Sequence, residues 1–154
     1  MVIRECGLLF RGYTLIYETY HKTSQEEIDS DLRSGLLTAL LNFAEISFAE
    51  DSVEYFEMKK FIIAFVEDKI ISKDSEEPEP LITYAILDKE KKIDKHISKV
   101  IVPSLRKITG AFKEKYEGEN LAEISLFREF KKTIEKVLGS DIENLEQKLK
   151  GTFF

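Results

Sequence analysis

Two short runs constrain this chain more than anything else in it: FIIAFV at 61–66 and LITYAIL at 81–87. Each is aliphatic, aromatic and β-branched, and each is bounded by charged or turn-forming residues, so each reads as a buried strand. Between them lies the polar, acidic stretch KDSEEPEP at 73–80. Its prolines and charges keep it out of a sheet, and it reads as a mobile loop. Ahead of the first run, residues 53–58 alternate. Val53, Tyr55 and Glu57 fall on one side, and Glu54, Phe56 and Met58 on the other. Lys59-Lys60 is the turn candidate, and 53–58 with 61–66 is expected to form a hairpin.

The N-terminal twenty residues also read as strands. Val2 and Ile3 lead to Cys6-Gly7, expected as a tight turn because glycine accepts positive φ without steric cost. Leu8-Leu9-Phe10 resumes the strand, Gly12 marks a bulge or bend, and Tyr13 to Tyr20 extends it. The first strand is then unusually short.

Helices fill the remainder. Ser24 with Glu27 is a capping box, followed by Ile28, Leu32, Leu36 and Leu40 at four-residue steps, to Phe48. After the last strand a stripe runs through Ile93, Ile97, Ile101, Leu105, Ile108, Phe112 and Tyr116. Pro103 either kinks it or starts a new helix, and Gly118 closes it. Asn120 with Glu123 signals a third helix through Ile124, Phe127, Phe130, Ile134 and Leu138, stopped by Gly139. Ser140 with Glu143 opens a fourth, with Ile142, Leu145 and Leu149. The order β-β-α-β-β-β-α-α-α implies α+β: an antiparallel sheet with long helices packed on it.

Composition narrows the function classes. The 154 residues suit one domain, and 43% apolar with 34% charged is a soluble, charge-rich composition. Frequent Lys, Glu and Ile suit a heat-adapted source. A net charge of −6 disfavours general nucleic-acid binding. No apolar run approaches the ~20 residues that cross a bilayer, and MVIRECGLLF does not read as a secretory signal. Cys6 is the one cysteine, so no internal disulfide forms and a cytoplasmic, reducing compartment is expected.

No motif carries chemistry. Cys6 as a nucleophile would need His21 or His96 as its base, and as part of a turn it reads as structural. One cysteine and two histidines without HExxH or CxxC spacing point to no metal, and there is no phosphate-cradling glycine motif. Asp29 and Asp31 sit in a helix's first turns, where the macrodipole favours them, and Glu76, Glu77 and Glu79 read as solvated loop charge. Lys89-Glu90-Lys91-Lys92 and Lys131-Lys132 read as ordinary helix faces rather than a phosphate or membrane-surface site. Neither a catalytic residue nor a cofactor is expected.

Taken together, MVIRECGLLFRGY, the helix from Ser24 to Phe48, VEYFEMKKFIIAFVED, LITYAILD and IVPSLRKITGAFKEKYEG resemble a longin-like domain of the longin/roadblock fold group, including those of archaeal type. The resemblance covers about residues 1–117. It implies a five-stranded antiparallel sheet with a helix inserted after strand 2, in one domain over 1–154, with 120–154 as additional C-terminal helices. It also implies a non-catalytic interaction module: a dimerisation or small-GTPase-binding platform linked to membrane traffic or GTPase regulation. Any peripheral membrane association would then come through its partners.

Candidate partner contacts are Tyr55, Phe56 and Met58 on the edge strand, and Asp29 and Arg33 on the inserted helix. Tyr55 and Phe56 point to opposite faces, so either one is an exposed anchor or both are buried under opposite layers. A small-molecule-binding sensory domain is the alternative reading, and it requires a closed apolar pocket with converging polar groups. The 140–154 helix either docks on the domain's own core or covers a partner groove.

Overall fold

A computed structural model describes residues 3–11, 13–19, 55–57, 61–89 and 94–139. The expected helix from Ser24 to Phe48, the Lys59-Lys60 turn and the helix after Ser140 lie outside the described residues. What is described is α+β, with an antiparallel sheet in the order β2-β1-β5-β4-β3. The strands are β1 (Ile3–Phe10), β2 (Tyr13–Thr19), β3 (Tyr55–Glu57), β4 (Phe61–Ile70) and β5 (Glu79–Asp88). The two apolar runs are adjacent in the sheet, with β5 at its centre. Ile62, Ala64 and Val66 oppose Leu87, Ala85 and Thr83.

Both faces of this centre are withdrawn from water. On the first face lie Cys6, Leu8, Phe10, Ile62, Ala64, Leu81, Ala85 and Leu87, which form one core with the helix α1 (Val102–Tyr116). On the second face Leu9, Ile63, Phe65, Ile82, Tyr84 and Ile86 are equally buried. A strand buried on both faces has no polar side to alternate with, hence the unbroken apolar runs.

Gly7 is not a turn residue. β1 runs straight through Cys6-Gly7, and the chain reverses instead at Arg11, whose φ is +52°. The reason lies 77 residues away. Gly7 pairs with Tyr84, and a Cβ at Gly7 would stand 2.8 Å from the Tyr84 hydroxyl and 2.8 Å from the Ile16 carbonyl oxygen. The missing side chain lets the Tyr84 ring lie across β1 and donate a 2.6 Å hydrogen bond to the buried Glu5 carboxylate. Cys6 is accordingly a core residue of β1, and the first strand is eight residues long.

Pro103 starts a new helix, as one of the two expectations had it. A helical turn at Asp94–His96 passes into a π-helical turn at Ile97–Ile101, and α1 begins with Pro103 in its first turn. The Val102 amide donates to the Ile97 carbonyl, five residues back. The wider turn absorbs the donor that proline lacks and the room its ring takes from the preceding carbonyls. Buried hydroxyls fasten α1 to the sheet. Thr109 donates to the Leu105 carbonyl at 2.8 Å, so Thr83, 2.5 Å away, is left to donate to Thr109. Gly118 does close the element, at φ +87°.

Two further expectations change. Glu79-Pro80 belongs to β5 rather than the loop. Pro80 pairs with Lys69 near the strand's start, where a missing donor is tolerated. Asn120 does not cap a long helix. Its Oδ1 accepts the Ala122 amide at 3.1 Å, a 3-10 turn follows at Ile124–Phe127, and the helix α2 occupies 130–139. A cluster of rings holds this region to α1. Phe112 lies 5.2 Å from both Phe127 and Phe130, and Tyr116 lies 4.9 Å from Phe127.

Candidate interaction surfaces

A sheet has two edges, and each edge carries backbone donors and acceptors that a neighbouring strand can use. At one edge stands β3, whose register places Tyr55 opposite Ala64 and Glu57 opposite Ile62. Tyr55 therefore faces α1's side of the sheet, where it is half-buried against the core. Glu57 is exposed and meets Lys89 at 3.2 Å. Of the other residues expected at this site, Phe56 is described by its backbone alone, and Met58, Asp29 and Arg33 lie outside the described residues.

The other edge is β2. Its pairing with β1 shifts between Leu8 and Leu9, so Leu15 bulges and the edge is bent. Tyr13 and Tyr17 are exposed on it, the former at 69%. The 3-10 turn packs against β2 and exposes Ile124 and Leu126 beside it. Lys131 sits 5.9 Å from the Tyr17 ring, over its π face. Tyr13 pairs with Phe10 and Tyr17 with Gly7, so the two tyrosines lie on opposite faces of the sheet at this edge. Ile124 is expected in the apolar series of a third helix. In a 3-10 turn ahead of the helix it points outward instead, while Phe127 keeps its inward place.

The 73–80 stretch is loop up to Pro78 and is tied down on both sides. Arg11 in the β1–β2 turn forms a fork to two carboxylates, with Nη1 to Asp74 Oδ2 at 2.9 Å and Nε to Glu79 Oε1 at 2.9 Å. The same guanidinium covers the Phe10 ring at 4.8 Å. Hydrogen bonding to Arg11, then to Ser72, holds the Asp74 carboxyl down at about 2. On the loop's other side, the Gly118 amide donates to the Ile71 carbonyl and the Lys73 amide to the Glu119 carbonyl. The Leu121 amide reaches the buried Ser72 hydroxyl at 3.4 Å. The loop is thereby clamped between the first hairpin and the end of α1, which removes Glu79 from the set of freely solvated charges.

The thiol is withdrawn from solvent. Cys6 is fully buried, and burial, with the Glu5 charge adding to it, pushes its ionisation far above the ordinary thiol range. Its side chain faces the core. Among the described residues no group of His, Cys, Asp and Glu could hold a metal ion, and no helix is long and apolar enough to cross a membrane. No family model, curated protein or solved structure matches this chain.

Proposed function

We propose that this chain is a non-catalytic, longin-like interaction module that dimerises or binds a small Ras-like GTPase on the cytoplasmic side of membrane traffic or GTPase regulation. The observation that carries the reading is topological. β2 and β3 occupy opposite edges of the sheet, so the chain between them must cross about 19 Å at ~4.8 Å per strand spacing. The face opposite α1 is buried, which calls for a second layer, and the reading gives that role to the helix inserted after strand 2. Such a domain works by its edges and outer helix faces, since its centre is filled with side chains. The burial of the one thiol supports the non-catalytic half.

Light scattering on the purified chain, with retention of the source's small GTPases in GDP- and GTP-analogue states, tests this. The expected result is a mass near twice 17.9 kDa, or nucleotide-dependent retention of a GTPase. A monomeric mass with no GTPase retained refutes it.

A further inference from the structure

The acidic charge of this chain is unevenly placed. Nineteen consecutive residues, Lys95 to Lys113, contain no Asp or Glu, although the chain has 29 of them. From Lys89 to Lys115 there are nine Lys or Arg against three acids, a net of +6 in a chain of −6. The fold turns four of these cations outward. The apolar residues of α1 and its lead-in, Ile97, Ile101, Leu105, Ile108 and Phe112, are fully buried, while Lys95, Lys99, Arg106 and Lys107 are exposed on the opposite side. Exposed Ser98, Pro103 and Gly110, all small, lie between and beyond them. The strip from Lys95 to Gly110 is about 22 Å long at ~1.5 Å per residue. Lys107 is itself engaged in a contact, and at the strip's far end Lys113 and Lys115 turn aside to Asp68 and Glu129.

We propose that this outer face of α1 is a docking surface for an anionic lipid bilayer. The charge selects an anionic occupant, and the rest of the chain, at −12, orients the molecule with this face toward it. The shape selects a plane. A convex helix face has no recess to enclose a single phosphate, and it exposes no aromatic ring to stack a base. Its cations are mostly lysines, which act as point charges toward a headgroup layer rather than as planar forks for one defined site. Pro103 is the one apolar side chain exposed among them and is too small to anchor by insertion, so the contact is electrostatic and reversible, and weakens as salt shortens the screening length. The proposal stands independently of the longin-like reading: it would give the module its own membrane contact, not one borrowed from a partner.

The test is co-sedimentation of the full chain with phosphatidylcholine vesicles, with and without phosphatidylserine, across a salt series. Binding is expected only with phosphatidylserine and is expected to fall as salt rises. Lys99→Gln with Arg106→Gln should lower partitioning about 25-fold, at about fivefold per cation, with an unchanged circular dichroism spectrum. Lys131→Gln with Lys132→Gln, on α2, should lower it far less. Absence of binding to phosphatidylserine vesicles at low salt overturns the proposal, as does an equal loss in both double variants. Retention of polyglutamate or duplex DNA without vesicle binding also overturns it, and assigns the face to a macromolecule. Oligomer mass and GTPase retention, measured separately, are unaffected by any of these outcomes.

Discussion

Gly7→Ala tests the packing argument at the centre of the sheet. The new methyl would meet the Ile16 carbonyl oxygen at 2.8 Å, the Tyr84 hydroxyl at 2.8 Å and the Tyr17 Cβ at 3.0 Å. The first of these is backbone, and it cannot step aside without opening the β1–β2 pairing. Overpacking of a tight interior costs about 1–3 kcal/mol. Displacing Tyr84 weakens its hydrogen bond to the buried Glu5 carboxylate, a further ~1–2 kcal/mol. Against this, alanine restricts the unfolded chain more than glycine does and returns about 0.5–1 kcal/mol. The net expectation is a loss of about 1–4.5 kcal/mol, measured by urea unfolding followed by circular dichroism. A double-mutant cycle sharpens it. Tyr84→Phe removes the hydroxyl that the methyl strikes, so the double variant should be less destabilised than the sum by about 0.5–1 kcal/mol or more. A Gly7→Ala variant within about 0.5 kcal/mol of wild type would refute the reasoning, and strict additivity would show that the hydroxyl is not the obstacle.

Three other outcomes follow from the same contacts. Phe127→Ala should cost about 3–5 kcal/mol and strip hydrogen-exchange protection from 130–139 first, because Phe127 joins Phe112 and Tyr116; unchanged protection there would contradict the ring cluster. Asp74, held at about 2 against an ordinary 3.8, adds to stability above about pH 4 and loses that contribution as pH falls through about 2. An NMR titration of its carboxyl should return toward the ordinary value in Arg11→Ala, with little change in global stability because the cluster is exposed. Cys6 should resist thiol reagents in the native protein and react only at the rate of unfolding; rapid native labelling would contradict its place in the core.

The β2 and β3 edges make different demands on a partner. β2 is bent by its bulge and flanked by the 3-10 turn, which discourages simple strand addition and leaves an apolar side-chain surface instead. β3 offers backbone groups next to an ion pair, Glu57 with Lys89. Among the residues nominated from sequence, Tyr55 is described as half-buried against the core. The exposed Tyr13 and Leu126 were not nominated, because nothing local distinguishes an outward tyrosine at an edge from an inward one at the centre. Exposure on a strand depends on what packs beside it, and that is decided far away in the chain.

Patterning within ten residues was enough to locate the first six residues of β4, most of β5 and the apolar stripe of α1, because run length and a three-and-four step report directly on what is withdrawn from water. The unbroken runs at 61–66 and 81–87 likewise marked strands that end up in the middle of the sheet. Tertiary contact alone decided the rest. Gly7 is small for the sake of Tyr84, Arg11 reverses the chain while gripping Asp74 and Glu79, and Pro80 joins a strand because Lys69 lies opposite. The basic strip of α1 shows both at once. Its charges are written in the sequence, but only the packing of Leu105, Ile108 and Phe112 against the sheet turns them together toward solvent. Local propensity is a sum over neighbours along the chain. Space and charge are shared among neighbours across it, and those come into being only with the fold.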